Sequence, residues 1–226
     1  MNKGKFAASI NECAALLKYV QMLKDSRPGN ISTFSKEYMN ASRSGDYFKI
    51  YNQVINNLDY TFLLNEESFF QFHLEGDDIG YIFMQNPNFH IDINKFKQDF
   101  YGVQEIPDDE YEQFYEFYEQ YLDEQSRNSS AIYMRLDCES KTYTKFLHSL
   151  AHLHININSE IRIPLDKVVT PLAFCCFVLK HVYYDKWKEI SSDKDFTIYR
   201  NKLRETLCEH PNDFWCEEDG LNLHLT

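Results

Sequence analysis

Three runs of aromatic and branched residues in the middle of the chain constrain the fold most strongly. They occupy residues 60–64, 69–74 and 81–84, and turn-forming segments at 65–67 and 76–78 divide them. Runs of this composition between turn residues are typical of β-strands. Because the connections are too short for a crossover, neighbouring strands have to run antiparallel. The sequence therefore predicts an antiparallel meander.

Helical periodicity surrounds this meander, since apolar residues recur three and four positions apart. Ser9 and Glu12 fit a capping box at the start of a first helix, and Asp46 precedes a second. Thr170 and Pro171 fit the cap and first position of a later helix. We also expect a short helix over 195–207 and further strands at 132–138, 152–158 and 161–164.

These elements predict one α+β domain over residues 1–226. Its N-terminal part, 1–58, is helical, and the part from 59 to 226 contains the sheet and a central helix, 171–187. We expect the N-terminal helices to pack on a mostly antiparallel sheet, because the apolar faces of both have to be buried.

Acidic residues are concentrated in one segment of a chain whose formal charge is −12. Residues 105–124 hold nine acidic residues and no basic one, on a predicted helix whose opposite face is aromatic. Such a field disfavours sequence-independent contact with nucleic acid and can steer a basic protein towards the helix. The predicted partner-binding residues are Glu112, Glu116, Glu119, Tyr111 and Tyr118.

Six cysteines, two of them adjacent, indicate reduced thiols rather than a disulfide scaffold. No apolar run reaches the roughly 18 residues that a transmembrane helix needs, and Glu12 interrupts what would be the apolar part of a signal peptide. We therefore expect a cytoplasmic protein that does not associate with a membrane.

Two strands carry a candidate site. His152 and His154 are two residues apart, so both imidazoles project from one face of a strand, and the same holds for Arg135 and Asp137. If the two strands meet, general acid–base cleavage of a phosphodiester becomes feasible, with Arg135 or Arg162 stabilising the developing charge. A two-histidine, one-carboxylate metal site and a purely structural network are the alternatives. The predicted catalytic set requires no metal or cofactor, and nucleic acid enters only as a substrate.

The C-terminal tail holds four residues of zinc-ligand type, but their spacing lacks a Cys-x-x-Cys pair. Buried thiols and surface histidines explain them equally well. They are Cys208, His210, Cys216 and His224. The chain also lacks a phosphate-binding loop, a dinucleotide fingerprint and a serine nucleophile elbow.

Short motifs between residues 131 and 187 resemble the family described as domain of unknown function 2290. These motifs are Met134-Arg135-Leu136-Asp137, His152-Leu153-His154-Ile155, Arg162-Ile163-Pro164, Thr170-Pro171, Phe174 and Tyr183-Tyr184. The resemblance implies a bacterial protein whose gene belongs to phage-defence or other mobile conflict loci. It implies no activity, so it does not decide between an enzyme and a binding protein.

Three functional hypotheses follow. The first is a non-catalytic or accessory subunit of a bacterial conflict or phage-defence system that acts through a protein partner, such as an ATPase or a nuclease. The alternative is a metal-independent ribonuclease or toxin-like enzyme that uses the His-x-His motif. The third is a homodimer that buries the aromatic helix face and has no catalytic function.

Overall fold

The contacts within the chain group it into two compact units. A computed structural model describes residues 1–31, 35–88, 93–102, 105–127, 131–157, 161–211 and 213–225. The first unit comprises Met1–Gln85 and Ile132–Thr226, and the second comprises Asn86–Ala131. A single domain over residues 1–226 stays a prediction, because compactness does not report whether two units unfold together.

One seven-stranded sheet forms the centre of the first unit. Every strand pairs antiparallel with the strand that precedes it in the chain, so the spatial order is also the sequence order. The strands are β1 Leu23–Ser26, β2 Phe62–Leu64, β3 Phe69–Glu75, β4 Asp78–Met84, β5 Tyr133–Cys138, β6 Ala151–Ile155 and β7 Arg162–Pro164. The predicted α+β class and antiparallel meander are confirmed.

Helices precede, interrupt and follow the sheet. Those of the first unit are α1 Lys3–Tyr19, α2 Lys36–Ser42, α3 Tyr47–Asn57, α6 Pro171–Val182, α7 Tyr184–Ser191 and α8 Phe196–Glu205. The second unit contains α4 Ile93–Phe96, which continues as a π-helical turn over Lys97–Tyr101, and α5 Tyr111–Arg127. Among the residues that the structure describes, no helix combines the length and apolar content needed to cross a bilayer.

Both faces of β2–β4 are buried, which explains why these strands are almost continuously apolar. On one face Phe72 packs edge-on against Tyr81 and Phe174, with ring centroids 5.2 and 6.3 Å away. This core also includes buried side chains of α1 and α6. On the other face, Tyr51 of α3 stacks on Phe69 of β3 at 6.0 Å. The N-terminal helices α2 and α3 thus cover part of this second face.

The predicted capping box at Ser9 is wrong, because α1 begins earlier, with Asn2 as its cap. Ser9 is buried within α1, and its Oγ accepts a hydrogen bond from the backbone N–H of Leu172 at 2.9 Å. That N–H belongs to the first turn of α6, where no intrahelical acceptor exists. Ser9 therefore joins α1 to the start of α6. The cap predicted at Thr170 is confirmed, since its hydroxyl accepts from the N–H of Ala173.

Two further boundaries differ from the prediction. Residues 23–26, expected to end the first helix, form β1 after a left-handed turn at Gln21 (φ 56°). The predicted helix 171–187 breaks at Tyr183, which leaves helical geometry (φ −113°, ψ 50°). The ring of Tyr183 packs edge-on against Phe83 at 6.0 Å, and its hydroxyl binds Glu66. These tertiary contacts hold the residue at the break between α6 and α7.

Replacing Ser9 with alanine tests the link between α1 and α6. The variant leaves the Leu172 N–H buried without an acceptor, so we expect the free energy of unfolding to fall by about 1–2 kcal/mol, although alanine is the better helix former. Urea denaturation measures this. Ser191→Ala, an exposed serine that bonds only to its own helix, is the control and should change stability by less than about 0.5 kcal/mol. Equal stabilities of the two variants would contradict the assignment.

Candidate functional site

Strand register brings the predicted catalytic residues to one face of the sheet. Arg135 of β5 lies opposite His154 of β6, and Asp137 lies opposite His152. Arg162 of β7 lies opposite His154 on its other side. Side chains of directly opposite residues project from the same face. All five residues therefore share a face across β5–β7, and their catalytic roles stay predictions.

Four of these residues form a contact network that we call the Asp137 cluster: Arg135, Asp137, His152 and His154. The Nε of Arg135 donates to Asp137 Oδ2 at 2.7 Å. The Nε2 of His154 lies 3.4 Å from the same oxygen and 3.3 Å from Nη2 of Arg135. The Nε2 of His152 is 3.9 Å from Asp137 Oδ2. A single ring nitrogen of His154 can donate to the carboxylate or accept from the guanidinium, but cannot do both.

Burial controls the charge states in the cluster. His152 and His154 are only 3% and 6% exposed. Burial lowers the pKa of His152 to about 4, although the charge of Asp137 opposes the shift, so His152 is neutral at pH 7. Burial alone would raise the pKa of Asp137, but the hydrogen bond from His154 and the charge of Arg135 bring it below its ordinary value. The cluster therefore contains an ionised carboxylate at neutral pH.

Three of the cluster residues could hold a metal ion. The Nδ1 of His152 lies 3.1 Å from the carbonyl oxygen of Ser149 and can donate to it, which leaves a lone pair on Nε2. Ligand atoms of Asp137, His152 and His154 all lie within 4.8 Å of one another. Two imidazoles and one carboxylate form a ligand set typical of divalent transition metals.

A cavity of about 320 Å³ reaches Asp137 from the surface. Three further carboxylates line it, those of Glu75, Asp78 and Glu139, together with His73, and the described lining includes no lysine or arginine. The cavity therefore opposes an anionic substrate such as a phosphodiester. Sequence reasoning missed these residues, because only the register of β3, β4 and β5 brings them together.

Arg162 contributes less to the site than the sequence predicted. It is exposed, and it makes no hydrogen bond or ion pair with another residue in the described ranges. Its position opposite His154 places it beside the cluster without a contact that would fix its side chain.

In the second unit, α5 packs through aromatic residues on α4. Phe96 is fully buried, and its ring lies 5.8, 5.1 and 5.0 Å from those of Phe114, Tyr118 and Tyr121. Tyr118, predicted as a partner-binding residue, therefore contributes to the interior of this unit.

A groove on the exposed side of α5 combines aromatic and acidic side chains. Asp108, Tyr111, Glu112, Tyr115 and Glu116 line it, and we call it the α5 groove. The two tyrosines are each 45% exposed, and their rings stack at 6.5 Å. Glu119, also predicted to bind a partner, is exposed but lies outside the groove.

The four ligand-type residues of the tail do not converge. His210 stacks on Trp215 at 5.5 Å and hydrogen-bonds to the carbonyl of Leu165, whereas Cys216 bonds to Asp219 at 2.9 Å. Within the described part of the chain, the Asp137 cluster supplies the one group of three or more metal-ligand residues.

Asp219 instead organises the tail. Its carboxylate accepts from the Tyr143 hydroxyl and the Phe146 N–H, both at 2.7 Å, and from the Cys216 N–H at 3.0 Å. Burial alone would raise the pKa of Asp219, but these hydrogen bonds lower it from 3.8 to about 2. The ionised carboxylate thus ties the tail to the segment between β5 and β6.

Replacing Asp219 with asparagine should lower the free energy of unfolding by about 2 kcal/mol at pH 7. A depressed folded-state pKa stabilises the fold above the unfolded-state pKa of 3.8, and this contribution is lost as the pH falls towards 2. The difference between variant and wild type should therefore shrink below pH 4. Urea denaturation between pH 7 and pH 3 measures it, with the exposed Asp213→Asn as control. A difference that is independent of pH would contradict this role.

Comparison with known proteins gives one family match. The model of a family described as "Uncharacterized conserved protein (DUF2290)" matches residues 16–217. No curated protein matches significantly, and no solved structure does. The match covers nearly the whole first unit, including the Asp137 cluster, and all of the second. The chain therefore belongs to the DUF2290 family.

Proposed function

We propose that the chain is an accessory subunit that binds a basic segment of a protein partner through the α5 groove. The observation that supports this most directly is the composition of the groove, in which Asp108, Glu112 and Glu116 flank the stacked rings of Tyr111 and Tyr115. The proposed setting is a bacterial conflict or phage-defence system whose partner is an ATPase or a nuclease. This setting rests on the family resemblance alone.

The chemistry of the groove suits a lysine or arginine side chain. Carboxylates form charge-assisted hydrogen bonds with these cations, and tyrosine rings attract them through the cation–π interaction. The unit already contains one such contact, since Lys97 Nζ lies 5.9 Å from the centre of the Tyr111 ring. The net charge of −12 also favours encounter with a basic protein.

The metal-independent ribonuclease or toxin-like enzyme stays an alternative proposal. The convergence of Arg135, Asp137, His152, His154 and Arg162 on one face favours it. Two observations weigh against it: both imidazoles are buried, and the cavity that reaches Asp137 is lined by carboxylates. The partner-binding proposal requires neither buried histidine to reach a substrate.

Charge reversal on α5 tests the partner-binding proposal. The tagged chain is purified from its native host, and the protein that co-purifies with it is then produced for titration. We expect the triple variant Glu112→Lys, Glu116→Lys, Glu119→Lys to weaken the complex about 100-fold, because each reversed charge costs about 1 kcal/mol near a cation. Higher salt should weaken the wild-type complex in the same direction.

The matched control carries the same change of charge on the first unit: Glu205→Lys, Asp213→Lys and Glu217→Lys, all at exposed positions. It should bind the partner within about threefold of the wild type, a difference of less than 1 kcal/mol. Equal weakening by the two triple variants would show that only net charge matters and would overturn the groove. Purification of the chain alone, or as a homodimer that survives the α5 substitutions, would overturn the proposal as a whole.

The nuclease alternative has its own test. If it is correct, the purified chain cleaves RNA in the presence of EDTA, and His154→Ala abolishes cleavage while far-UV circular dichroism stays unchanged. His181→Ala, at an exposed histidine on α6, should retain full activity. Absence of cleavage by the wild type, or full cleavage by His154→Ala, would dismiss this alternative.

A further inference from the structure

We propose that Asp137, His152 and His154 form a binding site for a divalent transition-metal ion, which displaces the guanidinium of Arg135 when it binds. The site belongs to the first unit and shares no residue with the α5 groove. It goes beyond the proposed function, and either proposal can fail without the other.

The donor atoms are held by regular secondary structure. Asp137 and His152 are directly opposite each other on β5 and β6, and His154 is the next residue on the same face of β6. The nitrogens of His152 and His154 lie 3.9 and 3.4 Å from Asp137 Oδ2. Since the set spans at most 4.8 Å, small side-chain rotations bring all three atoms to about 2 Å from a common ion. No backbone movement is required.

The surroundings orient these donors in the way that metal sites require. A metal-bound histidine usually donates its other ring N–H to a carbonyl or carboxylate, which fixes the tautomer. The carbonyl oxygen of Ser149 lies in position to accept from Nδ1 of His152. The lone pair of Nε2 then points towards Asp137. Both histidines are also almost fully buried, so the polar donors depend on one another rather than on water.

Arg135 occupies the place of a cation in this arrangement. Its guanidinium contacts both Asp137 and His154, at 2.7 and 3.3 Å. Its side chain is nevertheless 41% exposed, so it can swing into solvent without disturbing the sheet. The cavity lined by Asp137, Glu139 and Asp78 gives an ion a path to the cluster and attracts positive charge. Metal and guanidinium therefore compete for the same carboxylate.

The ligand set indicates the class of ion. Imidazole nitrogens favour Zn²⁺, Co²⁺ and Fe²⁺, whereas Mg²⁺ and Ca²⁺ prefer sites made of oxygen atoms. Three protein ligands also leave at least one coordination position for water or another small molecule. We therefore expect a site that selects Zn²⁺ and Co²⁺ over Mg²⁺.

Direct titration tests this proposal. The full chain is freed of metal with EDTA, dialysed, and titrated with Zn²⁺ by calorimetry and with Co²⁺ by visible absorption. We expect one ion per chain and no measurable binding of Mg²⁺. His152→Ala should weaken Zn²⁺ binding more than about 100-fold, since loss of an outer-shell partner alone costs about 10- to 100-fold. His181→Ala is the control and should bind as the wild type does.

The competition with Arg135 supplies a second, opposite readout. Arg135→Gln removes the guanidinium, so we expect Zn²⁺ to bind about tenfold more tightly. If His152→Ala fails to fold, Asp137→Asn replaces it, because the amide preserves the shape but removes the charge. Absence of Zn²⁺ binding by the wild type would overturn the site. Unchanged binding by a folded His152→Ala or Asp137→Asn would do the same, and weaker binding by Arg135→Gln would overturn the competition.

Discussion

The pairing register of β5 and β6 is the constraint on which the polar site depends. Leu136 lies opposite Leu153 on one face of the sheet, and both side chains are buried in the core with α6. Because side chains alternate between faces, this apolar pair obliges Asp137 and His152 to meet on the other face. A slip of one residue would bury the carboxylate in the apolar core and expose the leucines. The core therefore fixes the cluster, although it shares no side chain with it.

The two candidate surfaces differ in how their charge is compensated. Within the Asp137 cluster, Arg135 pairs with the carboxylate, and burial keeps His152 neutral. On the α5 groove, by contrast, Glu112 and Glu116 lie exposed beside aromatic rings. Exposed and concentrated charge is available to a macromolecular partner, whereas buried charge with an internal partner suits a structural role or a small cation. This contrast is why we propose protein binding for one surface and metal binding for the other.

Much of the fold could be predicted from local patterns, because β2–β4 are bounded by turn residues and Thr170 and Pro171 mark a helix start. Other features depended on tertiary contacts. Ser9 resembles a helix cap but serves α6, 163 residues away, and the break at Tyr183 follows from its contacts with Phe83 and Glu66. The two pairs of the site were each predictable by their spacing of two. Their meeting was not, since the loop between β5 and β6 carries no signal that sets the register.

Site-specific photo-crosslinking in the native host tests the central claim most directly. A benzoylphenylalanine in place of Tyr115 reports what touches the α5 groove, and one in place of the exposed Ile198 of α8 reports on the first unit. The account predicts that position 115 captures one protein through a lysine- or arginine-rich peptide and that position 198 does not. Capture only at position 198, only of a second copy of this chain, or of an acidic peptide at position 115 would contradict it.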